Sequence, residues 1–234
     1  MKQLGLISEE LGYWVGVAQS DGCLKRYFNK RRNYTDVRIS LHVATKSLPM
    51  VKKFQEISSK LFDRHGKIWK ENKGKNWRFQ DEWEHHIAVK KLLKTFKELD
   101  IIFGDPPKPP KWCLENIQIF GSYLAGLLDG DGSIWLTKSK HKKSVECRVK
   151  ITSSDAQEEL KNAISKMLNC CVRLIPRLYE GFIDGRKISG GGYDLEFLIS
   201  SKNLKVIKEF VFPHITIEHK KKKIQSFIDK RWPE

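Results

Sequence analysis

Two stretches decide the fold: Leu124–Gly132, read L-A-G-L-L-D-G-D-G, and Trp14–Gly22, read W-V-G-V-A-Q-S-D-G. With Asp21 set against Asp131, 110 residues further on, Tyr13 falls on Tyr123, Gly16 on Gly126 and Gly22 on Gly132. Self-similarity of this kind marks an internal repeat. Read as a helix, the second copy carries Leu124, Leu127 and Leu128 for apolar packing. Ala125 and Gly126 have almost no side chain, and small residues on one face let another backbone approach closely. Gly16 and Ala18 are the matching positions of the first copy. The two helices are therefore predicted to pack on each other and to bring their C-terminal ends, with Asp21 and Asp131, side by side. Gly22 and Gly132 then permit a sharp exit into a strand.

The repeat continues outward. Val37, Ile39, Leu41 and Val43 alternate with Asp36, Arg38, Ser40 and His42, as Val145, Cys147, Val149 and Ile151 alternate with Glu146, Arg148, Lys150 and Thr152. Period-two alternation predicts strands with one buried and one exposed face. Ser47 before Leu48–Pro49, and Asp155-Ala-Gln-Glu158 as a capping box, signal helix starts. The helices that follow are expected to bury Val51, Phe54, Leu61 and Phe62, and Leu160, Ala163, Ile164 and Met167. Further strands are predicted at Lys67–Glu71 with Trp77–Gln80, and at Val172–Tyr179 with Tyr193–Ile199. Closing helices are predicted near Val89–Leu99 and Leu204–Phe212, and a last one at Lys220–Arg231 with Ile224, Phe227 and Ile228 on its apolar side. The fold class is thus α+β, two similar αββαββα half-domains at residues 1–104 and 116–234. The connection, 105–115, begins D-P-P-K-P-P-K-W and reads as stiff and extended.

The 234 residues are 40% hydrophobic, enough for a real core. The formal net charge of +16 and a pI near 9.6 suggest a polyanionic partner, because neutralising phosphates releases condensed counterions. An anionic membrane surface is the other option. No apolar run is long enough to span a bilayer or reads as a signal segment, so an intracellular protein is expected. The five cysteines, Cys23, Cys113, Cys147, Cys170 and Cys171, contain no C-x-x-C pair. They read as reduced, mostly buried thiols without a zinc-site pattern.

Two carboxylates forced together repel each other unless a cation sits between or beside them. Their hard oxygens suit Mg²⁺, which takes one or two protein carboxylates and keeps several waters. Such ions can activate water and stabilise the leaving oxygen in phosphodiester cleavage. A lone D-G would mean only a turn. Two copies in one duplicated frame of a basic protein point to chemistry.

At these residues the sequence resembles the LAGLIDADG homing endonucleases. Leu124–Gly132 matches the family name at seven of nine positions, whereas Trp14–Gly22 is degenerate, with Trp14 for Leu and Gln19 for an acid. The order of elements extends the resemblance over nearly the whole chain, in the single-chain, pseudo-dimeric form. The resemblance implies a monomer whose halves are related by a pseudo-two-fold axis through the motif helices. Their antiparallel sheets form a saddle on double-stranded DNA, and the protein makes metal-dependent double-strand breaks in a long asymmetric target, as in intron homing. It implies that Asp21 and Asp131 bind metal (Mg²⁺, with Mn²⁺ or Ca²⁺ able to take the same sites), helped by the carbonyls of Ser20 and Gly130. Basic helpers of catalysis fall on Lys46 and Lys220, with Lys108 and Lys111 in the corresponding stretch of the first half. DNA contacts fall on Lys25, Tyr27, Asn29, Arg31, Arg38, Ser40 and His42 in the first half, with Arg78. In the second half they fall on Trp135, Thr137, Ser139, His141, Arg148, Lys150, Arg173 and Arg177. A β-ribbon fits the major groove.

Rival readings are an intron RNA maturase and a sequence-specific DNA-binding protein that does not cleave. His85–His86 would point to opposite faces of a strand and read as structural or solvated. Lys220–Lys223 reads either as a phosphate-contacting tail or as the polar side of the last helix. Gly190–Gly192 reads as a hairpin loop.

Overall fold

The computed structural model describes residues 4–31, 33–71, 82–138, 145–183 and 186–231. Helix α1 (Glu9–Ser20) is capped by Ser8, whose hydroxyl accepts from the Leu11 amide at 3.2 Å. It leads into the hairpin β1 (Gly22–Asn29) and β2 (Tyr34–Ala44), then α2 (Leu48–Phe62), β3 (Lys67–Glu71), β4 (Glu82–Ala88) and α3 (Leu93–Glu98). The pattern recurs with α4 (Ile117–Asp129), β5 (Gly132–Lys138), β6 (Val145–Ser153), α5 (Glu158–Leu168), β7 (Val172–Ile183) and β8 (Arg186–Ile199). A short α6 (Leu204–Val206) runs into a π turn at Ile207–Val211, and α7 (Glu218–Arg231) ends the described chain. The two antiparallel sheets have the orders β1-β2-β4-β3 and β5-β6-β8-β7. The fold is the expected α+β arrangement. The repeat holds at the level of register: Gly22 pairs with Leu41 and Gly132 with Ile151, each 110 residues on.

Helices α1 and α4 pack against each other because neither has a side chain at the crossing. A Cβ on Gly16 would lie 2.2 Å from the Tyr123 carbonyl oxygen, and one on Gly126 would lie 2.3 Å from that of Tyr13. Alternation on β2 and β6 places Ile39, Leu41, Cys147, Val149 and Ile151 in the core. Ile224, Phe227 and Ile228 of α7 are buried as expected.

Several local expectations are corrected. Ser47 stands at the start of α2 but makes no side-chain cap. The residue before α5 is Gln157, so Asp155 does not form the capping box. Leu61 and Met167 are only half-buried. Gly190–Gly192 lie within β8, paired to Tyr179, Leu178 and Arg177, so the hairpin is longer than its glycines suggested. Gly22 and Gly132 act by close approach: a Cβ there would strike Ala18 and Leu128 backbone atoms at 2.3 and 2.5 Å. The strand partner of β3 is Glu82–Ala88, and Trp77–Gln80 lie outside the described residues. The proline-rich segment does not run as a free extended spacer. Pro107 and Pro110 are buried, and Lys111–Leu114 form a 3₁₀ turn that buries Trp112 and Cys113. All five cysteines are free thiols, but only Cys113 and Cys147 are buried. Among the described residues no helix is long and apolar enough to cross a membrane.

Candidate active site

The C-terminal ends of α1 and α4 lie together. A Cβ on Gly130 would fall 2.0 Å from Ser20 Oγ and 3.4 Å from Asp21 Oδ2. The two helices are tied by a reciprocal pair of hydrogen bonds. Tyr13 donates to Asp129 Oδ2 at 2.7 Å, and Tyr123 donates to Gln19 Oε1 at 2.7 Å. These four residues are the same two motif positions, exchanged between the halves. Gln19, which departs from the family letter, is thereby explained: its amide donates to the carbonyls of Ile102 and Lys108 at 2.7 and 2.8 Å, which a carboxylate could not do. Trp14 is explained too. It is fully buried, donates to Ser58 Oγ at 2.8 Å and stacks on Phe54 at 5.0 Å, filling the first core with one large ring.

Asp21 is half-buried and Asp131 is exposed, yet protein atoms crowd both carboxyl groups. That crowding lifts Asp21 to about 6, with Lys220 opposing the rise and Asp129 adding to it. It lifts Asp131 to about 7, with the charges of Asp21 and Asp105 adding and Lys220 opposing. Lys220 attracts both carboxylates. Buried at 8% exposure on α7, it donates to the carbonyls of Leu128, Asp129 and Gly130 at 2.6, 2.8 and 3.2 Å. Loss of water pulls its amine down to about 8 against the attraction of Asp129, Asp21 and Asp131. The Gly130 carbonyl, expected to face a metal, is thus already accepting from Lys220. The Ser20 hydroxyl turns back to the Gly16 carbonyl at 2.9 Å.

Lys46, exposed in the 3₁₀ turn Thr45–Ser47 before α2, lines a shallow cavity with Gly130, Asp131, His219, Lys220 and Lys223. On the other side Asp131 shares a cavity with Ser20, Asp105, Ser153 and Arg177. Lys108 is instead paired with Glu159 at 2.9 Å, and Lys111 is exposed. Only the second half supplies a buried lysine among the described residues.

Asp129 is the residue that the repeat alone undervalued. It is 1% exposed and accepts from Tyr13, from the Thr216 amide and hydroxyl at 2.8 and 2.7 Å, and from the Ile217 amide at 3.2 Å. These bonds pin the turn before α7 and so place Lys220. The signal in the sequence was the acid at the sixth motif letter, but its partners lie 87 and 88 residues away.

The polar sheet faces carry many of the expected DNA contacts. Lys25, Tyr27, Arg38 and His42 share one face in the first half, with Arg38 over the Tyr27 ring at 5.3 Å and bonded to Asp36. Ser40 lies on that face but is fully covered between Cys23 and His86, so it offers nothing to a ligand. Asn29 ends β1, and Arg31 lies beyond the strand in the exposed turn, not on its face. In the second half Trp135, Thr137, Arg148, Lys150, Arg173 and Arg177 share a face. Asp194, missed in the sequence, is 8% exposed and holds Lys150 at 3.1 Å and Thr152 at 3.0 Å, with Arg177 at 3.9 Å. Arg148 is paired with Glu146 at 3.0 Å. Arg148 and Arg173 also line a cavity of about 570 Å³, whose lining includes neither Asp21 nor Asp131. Arg78, Ser139 and His141 lie outside the described residues.

Each of two packed glycine-bearing helices thus ends at a carboxylate and is followed at once by a strand. Residues 124–230 match the LAGLIDADG endonuclease family. The first motif lies outside the matched range. No curated protein matches the chain by sequence. Its fold is similar to that of the LAGLIDADG meganuclease I-AabMI bound to uncleaved DNA, at 13% identity and a TM-score of 0.54, over 93% of this chain and 88% of that one. It is similar to the homing endonuclease I-WcaI bound to its DNA recognition sequence, at 16% identity and 0.52, over 93% and 87%. It is also similar to full-length DUF199/WhiA from Thermatoga maritima, at 13% identity and 0.53. That match covers 96% of this chain, which spans only 62% of the WhiA chain.

Proposed function

We propose that the chain is a two-motif LAGLIDADG endonuclease that makes site-specific double-strand breaks in DNA, with Asp21 and Asp131 as its metal-binding carboxylates. The observation that carries this reading is their placement: two acids at equivalent ends of crossed helices, both raised because burial and neighbouring acids oppose their charge. Such a pair is relieved by a cation, and hard oxygens suit Mg²⁺, with Mn²⁺ or Ca²⁺ as substitutes. A divalent ion held there would activate a water and stabilise the leaving oxygen of a phosphodiester.

The chain's own groups supply the rest. Lys220 keeps a positive charge against the end of α4 and within the reach of both carboxylates' charge, where it can draw a phosphate oxygen inward. Lys46 adds charge at the cavity mouth. The polar faces of the two sheets offer Lys25, Tyr27, Arg38, Trp135, Arg173 and their neighbours to a groove. Asp36, Glu146 and Asp194 fix the direction of Arg38, Arg148 and Lys150 on those faces. Because the two faces differ, the target is a long asymmetric duplex bound by one chain.

The test is selection from randomised duplex DNA with Ca²⁺, followed by a switch to Mg²⁺ and sequencing of the ends. One asymmetric site cut in both strands supports the proposal. Enrichment without cutting supports a non-cleaving DNA-binding protein, and specific retention of intron RNA with no cut DNA supports a maturase.

A further inference from the structure

The polar face of the first sheet carries a cluster that the carboxylate site does not use. His42 on β2 pairs in register with Glu84 on β4, and His86 follows two residues later on the same face. His42 Nδ1 lies 3.2 Å from Glu84 Oε1, and His86 Nε2 lies 3.5 Å from Glu84 Oε2. The three donor atoms lie within 4.8 Å of one another. His86 is held in place on both sides, by the Trp69 ring edge-on at 4.8 Å and the Tyr27 ring stacked at 6.5 Å. Its buried Nε2 makes no hydrogen bond among the described residues. The side chain of Glu84 is only 12% exposed.

We propose that His42, Glu84 and His86 form a binding site for one transition-metal dication of the zinc class, distinct from the Asp21–Asp131 site. Two imidazoles and one carboxylate, with water in the fourth position, are a known zinc ligand set. Imidazole selects zinc-class ions over Mg²⁺, which prefers oxygen. The sequence pointed only to the adjacent pair His85–His86, which divides between two faces. The functional pairing runs across strands instead, and His85 turns inward to the Lys67 carbonyl at 3.1 Å. A bound ion would link β2 to β4 at the centre of the proposed DNA-facing surface and add positive charge there. His42, expected as a DNA contact, would then serve the ion.

Metal-stripped full-length protein titrated with Zn²⁺ by calorimetry should bind one ion that excess Mg²⁺ does not displace. Affinity should fall at least tenfold, roughly, in His42→Ala and in Glu84→Gln, and stay unchanged in the Asp21→Asn/Asp131→Asn double variant. Co²⁺ should give the intense visible bands of a tetrahedral site in the wild type and lose them in His42→Ala. His42 is exposed, so that variant keeps the fold even where His86→Ala does not. Unchanged Zn²⁺ affinity in His42→Ala and Glu84→Gln, or binding lost in the double aspartate variant instead, would overturn the assignment.

Discussion

Replacing Asp21 by Asn should stabilise the metal-free protein while removing its proposed activity. The Asp21 carboxyl is raised from 3.8 to about 6. At about 1.4 kcal/mol per pKa unit, holding the charge inside the fold at neutral pH costs roughly 3 kcal/mol. Solvent access at this half-buried position reduces that to roughly 1–2 kcal/mol. The sign follows from linkage. A folded pKa above the unfolded one means that the native state binds more protons, so stability falls as pH rises from about 4 through about 6. Asn keeps the shape and has no charge to lose. In a chain of 234 residues, each kcal/mol moves Tm by about 2–4 °C, so Asp21→Asn should melt roughly 2–8 °C higher at pH 7.5 in EDTA. At pH 4 the two proteins should melt together. Scanning fluorimetry at both pH values reads this directly. A variant that melts below the wild type at pH 7.5 in EDTA would refute the reasoning, because it would mean that the charged carboxylate is stabilised by the fold.

Other outcomes follow from the same contacts. Gly16→Ala or Gly126→Ala puts a Cβ against backbone oxygen at 2.2 or 2.3 Å, so each should lose about 1–3 kcal/mol or more in urea unfolding. Tyr13→Phe removes one of four donors to buried Asp129 and should lose about 1–3 kcal/mol by the same assay. Lys220→Met should lower the cleavage rate by about 10²–10³ with DNA affinity retained, as for loss of a preorganised charge in an enclosed site; single-turnover kinetics checks it. Arg173→Ala should weaken DNA binding and, if the guanidinium meets a phosphate, reduce the salt slope of log K by about 1, measured by fluorescence anisotropy across salt.

The motif frame made the helix crossing legible because glycine at a crossing is a steric requirement visible at both Gly16 and Gly126. Strand register was legible because alternation on β2 and β6 fixes which face is buried. The caps were not, since Ser47 stands at the cap with its backbone out of the extended region and Asp155 lies two residues before the cap position, Gln157. The surroundings of the carboxylates were legible only in part. Lys220 was expected as a basic helper from the resemblance alone, and nothing local distinguishes it from Lys221–Lys223. Its selection depends on Asp129 gripping Thr216 and Ile217, a contact between distant segments. The zinc-class cluster was hidden for the same reason, because His42 and Glu84 meet only through the β2–β4 register.

The central claim is that Asp21 and Asp131 act together to cut DNA. Its most direct test is cleavage, with Mg²⁺, of the duplex formed by rejoining the DNA that flanks this gene. The account predicts a double-strand break by the wild type, none by Asp21→Asn or Asp131→Asn, and binding retained by both. Undiminished cleavage by both variants would contradict it.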